Sequence, residues 1–273
     1  LEPEIYSLSK LKQVCDCAKR QCDREKNINV HIKLDTGMHR LGFSESQIDE
    51  MLDIICNNRD YVTIASVFSH LAVADNADYD EFTHSQLENF ETCANRIEER
   101  VGYCVIKHVL NSYGIARFAD YQFDMVRLGV GLFGVEKHLN EIANLQMALQ
   151  LKGVVAQVRD VKRGESVGYG LSWTAARDSQ IAILPIGYAD GYKVALSNKD
   201  VKVYINGNYC PIVGRVCMDM CFADVTGLNV KEGDEVEFFG NHVDIDSLAK
   251  AANTISYEII STLSHRIKRV YYL

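Results

Sequence analysis

The first half of the sequence alternates between strand-like and helix-like spacing of its apolar residues. Short apolar runs are followed by segments in which apolar residues recur every three or four positions. The pattern predicts helices after Ser7 and at Ser44–Gln47 and Thr83–Gln86 capping boxes, and strands at Val30–Asp35, Thr63–Leu71, Val105–Leu110 and Met125–Phe133. Such alternation is typical of a parallel sheet built from strand–helix–strand units.

The second half has the shorter period of a mostly β domain. Strands are predicted at Val154–Val161, Ile181–Ile186, Val201–Ile205, Ile212–Asp224 and Glu235–Phe239, and short helices at Ile245–Ala252 and Tyr257–Ser264. The dipeptide Asn206-Gly207 predicts a tight hairpin. The two halves join near Glu136–Met147, so we assign residues 1–140 to the first domain and 141–273 to the second.

Polar side chains of the first half cluster where its predicted strands end. They are Lys33, Asp35 and Arg40, then Ser69 and His70, then Asn111 and Ser112. In a (β/α)₈ barrel, the carboxyl ends of the strands carry the chemistry. Only four or five strands are predicted, so we expect the first domain to be the C-terminal half of such a barrel. Because the first residue is Leu1 rather than Met, we expect the chain to begin inside a longer protein.

Composition excludes several classes of partner. The net charge of -8 argues against binding to nucleic acid, and no apolar run approaches the length of a membrane span. The nine cysteines include no C-x-x-C pair, which argues against a zinc site, and no other metal site is predicted. Cys15, Cys17 and Cys22 lie in a charged helical stretch, and free thiols in a reducing cytoplasm are the better interpretation.

The segment Gly129–Gly134 reads G-x-G-x-x-G and has three interpretations. As a dinucleotide fingerprint it is weak, because no helix follows it and no acidic residue stands about twenty positions later. Close backbone packing inside a strand is a second interpretation. A turn whose N–H groups hold a phosphate is the third, and the surrounding sequence favours it.

Eight segments, in order along the chain, resemble motifs of the alanine racemases. They are His31–Gly42 (HIKLDTGMHRLG), Ser69–Leu71, Asn111-Ser112, Arg127–Gly134, Gly168–Gly170, Pro185–Gly191, Pro211–Asp219 and Ser256–Glu258, with Arg266 closing the series. The resemblance covers essentially the whole chain. It implies a barrel that binds pyridoxal phosphate (PLP), followed by the β domain of that family.

The resemblance also implies a two-base racemisation at the substrate Cα. Tyr169 corresponds to one base, and the other is a lysine that forms the Schiff base with PLP. A phenol gives up its proton reluctantly, so His70 and Arg127 are expected to assist Tyr169 through hydrogen bonds. Arg127 is expected to face the pyridine nitrogen of PLP, and His70 is expected among the cofactor-binding residues beside it. Because arginine keeps its proton, that ring nitrogen stays largely unprotonated.

Further roles follow from the same resemblance. Phosphate binding is expected from Asn111, Ser112, Tyr257 and the backbone N–H groups of Gly129 and Val130. Substrate positioning is expected from Arg40, Tyr188, Asp219 and the backbone of Met218. Lys33 should point inward near Arg40, where family members often carbamylate the lysine, although a solvated lysine on the outer face is the alternative.

The sequence departs from the family pattern at a few positions. The family usually has a proline at the position of Leu128, a tyrosine at that of Phe133, and a small or polar residue at that of His39. None of the fifteen lysines lies in the A-Y-G-H-G context of the family's Schiff-base lysine. We therefore expect the N-terminal segment with that lysine to be lacking, and the chain alone to be inactive.

The leading functional hypothesis is racemisation of L- and D-alanine, which supplies D-alanine for peptidoglycan. We expect a cytoplasmic homodimer with shared active sites. In some bacteria a racemase of this family follows a Mur ligase in one polypeptide, and such a fusion upstream of this chain is left open. A serine or broad-specificity racemase, or an inactive fragment of such an enzyme, is the alternative. A PLP decarboxylase is disfavoured by the absent glycine triplet, and a PLP carrier protein by the presence of the second domain.

Overall fold

The computed structural model describes residues 1–20 and 27–272, so Cys22 lies outside the described residues. The chain divides into two compact units, a first unit of Leu1–Gly129 and a second unit of Val130–Leu273. Our domain boundary after residue 140 stays a prediction. Within the described ranges, no helix is both long enough and apolar enough to cross a lipid bilayer.

The first unit contains a parallel sheet, with strands in the order β1-β2-β3-β4. The strands are β1 (Glu4–Ile5), β2 (Ile28–Lys33), β3 (Val62–Phe68) and β4 (Ile106–His108), and the helices are α1 (Leu8–Arg20), α2 (Ile48–Cys56), α3 (Asp80–Val101) and α4 (Ser112–Arg117). A helix follows each of the four strands, as in a (β/α)₈ barrel. The short strand β1 was not predicted, because only two of its residues pair.

Helices α1 and α2 follow from their apolar spacing. Leu11, Cys15 and Ala18 are buried on α1, as the pattern predicted. Before α2, Ser44 and Gln47 form the predicted capping box on a short 3-10 turn that leads into the helix.

The Thr83–Gln86 capping box is a wrong prediction. The helix α3 already begins at Asp80, after a 3-10 turn in which the side chain of Asn76 accepts a hydrogen bond from the N–H of Asp78. Thr83 and Gln86 therefore lie inside the helix, with both side chains buried.

The predicted strand Met125–Phe133 is also wrong. Residues 125–129 have no regular secondary structure, and Val130–Phe133 forms a 3-10 turn. One backbone bond, from the N–H of Arg127 to the carbonyl of Leu110 at 3.0 Å, ties this segment to the end of β4. An apolar run with two glycines thus mimics a strand without pairing as one.

The second unit is built on an antiparallel sheet with the strand order β5-β13-β10-β11-β12-β9-β6. The strands of this sheet are β5 (Leu151–Val154), β6 (Gln157–Val161), β9 (Ser179–Leu184), β10 (Lys202–Ile205), β11 (Asn208–Val213), β12 (Cys221–Asp224) and β13 (Glu235–Phe239). A separate two-stranded ribbon consists of β7 (Ser166–Val167) and β8 (Trp173–Thr174). The helices of this unit are α5 (Lys137–Ala143), α6 (Ile245–Ala251) and α7 (Ser256–Ser261). The predicted hairpin at Asn206-Gly207 is confirmed, because Ile205 pairs with Asn208 across it.

Two long predicted strands of this unit are each a pair of shorter ones. Val154–Val161 covers the last residue of β5 and all of β6, and these two strands pair with different neighbours, β13 and β9. Ile212–Asp224 folds back on itself as β11 and β12, with Gly214 at the reversal in the left-handed region (φ 70°). Residues 214–220 are thereby a loop instead of a strand, and they include Met218 and Asp219.

Candidate active site

The guanidinium of Arg127 is held by acceptors from the ends of two strands. Nη1 lies 2.6 Å from Nδ1 of His108 and 3.1 Å from its carbonyl oxygen. Nη2 donates to the carbonyls of Ser69 (2.6 Å) and Val109 (3.1 Å) and lies 3.4 Å from Nδ1 of His70. Both terminal nitrogens are thus fully engaged, which fixes the plane of the group.

The remaining N–H donor of Arg127 is on Nε. Within residues 1–20 and 27–272, no hydrogen bond is formed by this atom. Because a guanidinium has five N–H donors and no acceptor, Nε is free to donate to an acceptor atom of a ligand. The arrangement therefore presents one oriented donor on a rigid cation.

His70 and His108 are neutral beside this cation. Burial, followed by the charge of Arg127, lowers the pKa of each histidine from 6.5 to about 4. Since arginine cannot accept a hydrogen bond, Nδ1 of each ring must be the acceptor. Each ring then carries its proton on Nε2, so His70 has an N–H available for a second partner.

Asn111, Ser112 and Gly129 lie together beyond the end of β4. The side chain of Asn111 accepts a hydrogen bond from the N–H of Gly114 at 2.9 Å and caps α4. The N–H of Gly129 donates to Oγ of Ser112 at 3.0 Å. A Cβ at Gly129 would meet nothing nearer than that hydroxyl, at 3.7 Å. This leaves an open, polar turn of the kind that suits a phosphate.

Lys33 is buried at the end of β2, with only 8% of its surface exposed, so the alternative of a solvated outer lysine does not describe it. Its Nζ lies 3.7 Å from Oε1 of Glu4 and 4.7 Å from the centre of the Phe68 ring. Burial lowers the pKa of Lys33; Glu4 opposes this shift, whereas the charges of Arg40 and Arg127 add to it. Arg40 itself is exposed.

In the second unit, Tyr169 projects from a turn with unusual backbone angles. Gly168, Gly170 and Leu171 all have positive φ values, of 78°, 69° and 49°. Tyr169 is 68% exposed. It lines a surface cavity of about 430 Å³ together with Met218 and Asp219. The β domain thus brings a proposed base and two proposed substrate contacts to one concave surface.

Tyr188 belongs to the same region. Its N–H donates to the carbonyl of Cys217 at 3.0 Å, and the N–H of Ala189 donates to the carbonyl of Met218 at 2.9 Å. A Cβ on Gly187 would lie only 2.4 Å from the Cys217 oxygen. The glycine is therefore required for the turn to approach the loop this closely.

Arg266 connects the turn that contains Tyr188 to the loop that contains Met218 through two ion pairs. It donates to Asp190 through Nε at 2.6 Å and to Asp219 through Nη2 at 2.6 Å. Burial alone raises the pKa of Asp190, but hydrogen bonds from Arg266 and from the N–H of Gly187 outweigh it and hold the pKa below its ordinary value. The guanidinium joins the Tyr188 turn to the Met218 loop.

The last two predicted phosphate ligands also lie in the second unit. Val130 is buried at the start of the 3-10 turn Val130–Phe133, and Tyr257 lies in α7 with 40% of its surface exposed. The functional roles of all these residues stay predictions.

Sequence reasoning gave no role to several residues that shape the site. His108 contacts Arg127, and Ser66 in turn contacts His108. Glu4 pairs with Lys33, and Gln86 donates to the carbonyl of His70 at 3.3 Å. The signal for His108 was its place at a strand end, directly before the Asn111-Ser112 motif. Arg266 was recognised as part of a motif, but its two carboxylate partners are far away in sequence.

Comparison with known proteins identifies the family. The sequence matches the family models described as alanine racemase, N-terminal domain, over residues 1–137, and alanine racemase, C-terminal domain, over residues 148–271. Alanine racemase 1 of Oceanobacillus iheyensis is 35% identical over 98% of this chain and 72% of that protein. Alanine racemase 1 of Clostridium acetobutylicum is 37% identical over 99% of this chain and 71% of that protein.

Solved structures agree with the sequence matches. An alanine racemase of Clostridium difficile 630 superimposes with a TM-score of 0.90 at 32% identity, over 100% of this chain and 71% of that one. An alanine racemase of Bartonella henselae, described with covalently bound pyridoxal phosphate, gives 0.86 at 32% identity, over 100% of this chain and 73% of that one. The chain belongs to the alanine racemase family, and the predicted fold and reaction class are confirmed.

Proposed function

We propose that this chain binds PLP and serves the interconversion of L-alanine and D-alanine. The observation that carries the proposal is the fixed guanidinium of Arg127. Its two terminal nitrogens are engaged, and its Nε–H has no acceptor among the described residues, so this N–H can donate to a ligand. When bound, PLP supplies an electron-withdrawing ring that acidifies the Cα–H of the amino acid attached to it. Arg127 would hold the ring nitrogen, because its Nε–H can donate to an aromatic nitrogen but cannot protonate it.

The phosphate would be held by neutral donors. The open turn at Gly129, the hydroxyl of Ser112 and the cap at Asn111 fit a phosphate, and the family resemblance assigns the N–H of Val130 and the hydroxyl of Tyr257 to the same group. No Cβ fills the space at Gly129, which supports the fit. Backbone N–H groups and hydroxyls can bind a phosphate without a formal positive charge.

Proton transfer at one face of the substrate Cα is assigned to Tyr169. The neutral ring of His70 keeps its proton on Nε2, so this N–H can donate to the phenolate oxygen of a Tyr169 contributed by a second protomer, and thereby stabilise the base. Arg127 fixes the other nitrogen of the same ring, at 3.4 Å. His70 and Arg127 therefore assist Tyr169 by orienting and polarising a hydrogen bond.

Arg40 and the surface formed by Tyr188, Met218 and Asp219 are assigned to the substrate carboxylate and its surroundings. A guanidinium pairs well with a carboxylate in a bidentate geometry. Carbamylation of Lys33 would replace a buried cation by an anion near Arg40 and Arg127. The low exposure of Lys33 and its proximity to two other cations support this modification.

We further propose a homodimer in which Tyr169 of one protomer completes the site on the barrel of its partner. The 68% exposure of Tyr169 within this chain supports a role in a shared site. A reducing cytoplasm suits the eight described cysteines, all of which are free. Supply of D-alanine to peptidoglycan, and a Mur ligase fused upstream, remain parts of the same proposal.

The test is turnover of the intact gene product reconstituted with PLP. L-Alanine and L-serine are each incubated with the protein, and their D-enantiomers are quantified by chiral chromatography. Faster formation of D-alanine is the expected result. Preference for L-serine would favour the serine or broad-specificity alternative, and absence of any D-amino acid with PLP bound would favour an inactive fragment.

A further inference from the structure

A continuous row of hydrogen-bonding groups runs from the surface to Arg127. Oε2 of Glu2 lies 3.0 Å from Nε2 of His31, and Nδ1 of His31 lies 2.6 Å from Oγ of Ser66. The same hydroxyl lies 3.2 Å from Nε2 of His108, whose Nδ1 faces Arg127 at 2.6 Å. Ser66 and His108 are 1% and 6% exposed, whereas the side chain of Glu2 is 50% exposed.

A strand irregularity places Ser66 in this row. Val30 pairs with Ile64, but the next residue of β2, His31, pairs with Ser66, so Ala65 is left without a partner on β2. With an uninterrupted register, His31 would face Ala65 instead. Because successive side chains of a strand point to opposite faces, the extra residue brings the hydroxyl to the face occupied by His31.

The direction of the two inner bonds of the row follows from Arg127. Arg127 can only donate, so Nδ1 of His108 accepts and the neutral ring carries its proton on Nε2. That N–H donates to Ser66, whose own O–H is then free to donate to Nδ1 of His31. In that arrangement a neutral His31 carries its proton on Nε2, which donates to the carboxylate of Glu2. Each of the four links therefore has one donor and one acceptor.

We propose that Ser66 and His31 are positioning residues: Ser66 accepts the Nε2–H of His108, His31 holds the hydroxyl of Ser66, and together they keep the His108 ring, and thereby Arg127, in a fixed orientation. The row aligns four bond dipoles between a buried cation and a surface carboxylate, and it gives the Nε2–H of His108 a buried acceptor. Hydrogen bonds in a chain polarise one another in the same sense. The link to catalysis rests on the proposed role of Arg127, whereas the hydrogen-bond pattern does not.

The protonation pattern is measured directly by ¹⁵N NMR. The intact protein is labelled with [¹⁵N]histidine, and its eight histidines are assigned with the help of His31→Gln and His108→Gln. At mildly alkaline pH, both His31 and His108 are expected to show an unprotonated Nδ1 and a protonated Nε2. A protonated Nδ1 on either ring would overturn the proposal, whether or not the protein racemises alanine.

The functional link is tested with Ser66→Ala and its conservative counterpart Ser66→Thr. In Ser66→Ala, Nε2–H of His108 loses its acceptor, so we expect faster solvent exchange of this proton, about a tenfold lower kcat and a KM within about twofold of the parent. Ser66→Thr should restore both readouts, because it keeps the hydroxyl. Unchanged proton exchange or an unchanged kcat in folded Ser66→Ala would overturn the link, and so would a loss that threonine does not rescue.

Discussion

Nη1 of Arg127 lies 2.6 Å from Nδ1 of His108, so a permanent cation is bound by a histidine that must stay neutral. Burial and the charge of Arg127 together lower the pKa of His108 to about 4. Protonation of this ring would place two positive charges in direct contact. The geometry of Arg127 is therefore linked to the protonation state of its neighbour.

The first prediction concerns stability against pH. In the unfolded chain His108 takes up a proton near its ordinary pKa of 6.5, whereas in the folded protein it does so only near 4. The unfolded state therefore binds more protons between these values, and the free energy of unfolding falls as the pH decreases from 6.5 to 4. The contribution of one such group to the slope is at most about 1.4 kcal/mol per pH unit.

The variant His108→Gln isolates this contribution. We expect urea unfolding, followed at several pH values between 6.5 and 4, to show a shallower slope in His108→Gln than in the parent. His265→Gln changes an exposed histidine and serves as the matched control. Equal slopes in the parent and in His108→Gln would mean that His108 is not held neutral by its surroundings.

The second prediction concerns the acceptors that surround Arg127. Lysine has three donors on a single nitrogen, so Arg127→Lys leaves some of the carbonyls of Ser69, His108 and Val109 without a partner. We expect a loss of about 2–4 kcal/mol in the free energy of unfolding, measured with urea at pH 8. Arg163→Lys, at an exposed side chain, should change it by less than about 0.5 kcal/mol. A similar small change in Arg127→Lys would show that the three carbonyls do not depend on the guanidinium.

The fold was predictable where local chemistry decides it. Apolar spacing identified α1 and α2, and Asn206-Gly207 identified the β10–β11 hairpin, because both depend only on near neighbours. The segment Met125–Phe133 was misjudged, since its apolar residues suit a strand but its backbone pairs with none. Strand splitting at residues 214–220 was missed for a related reason, because a single glycine in an apolar run does not show that the chain reverses.

The sequence predicted individual candidate residues of the site better than it predicted the contacts between residues. Motifs identified His70, Arg127 and Tyr169 as candidates, but nothing in the sequence indicates that Ser66 faces His31. That contact depends on the extra residue at Ala65, and a one-residue shift in register is invisible to periodicity. The pairing of Arg266 with Asp190 and Asp219 likewise depends on tertiary structure.

The third prediction concerns this double pairing of Arg266. Arg266→Gln removes the charge that holds Asp219 beside the Tyr188 turn, so substrate binding should weaken more than turnover. In the intact gene product we expect KM for alanine to rise about tenfold, with kcat within about threefold. Arg269→Gln, at an exposed arginine nearby in sequence, should leave KM unchanged. A fall in kcat at constant KM would contradict a role in substrate positioning.

The fourth prediction concerns the lysine that the family uses to bind PLP. None of the fifteen lysines of this chain has the expected sequence context, so residues 1–273 expressed alone should not racemise alanine. Incubation with PLP, reduction with borohydride and mass spectrometry should reveal no single pyridoxyl-lysine. One uniquely modified lysine, accompanied by alanine turnover, would show that a lysine outside that context serves the reaction.

The most direct test of the account is the exchange of the substrate Cα–H in Tyr169→Phe. The intact gene product with bound PLP is incubated in D₂O with L-alanine or D-alanine, and deuterium at Cα is measured by mass spectrometry. If Tyr169 serves one face only, exchange from one enantiomer should fall by more than about a hundredfold while the other continues to exchange with PLP still bound. Equal loss from both enantiomers, together with loss of PLP, would contradict the assignment of Tyr169 as a base.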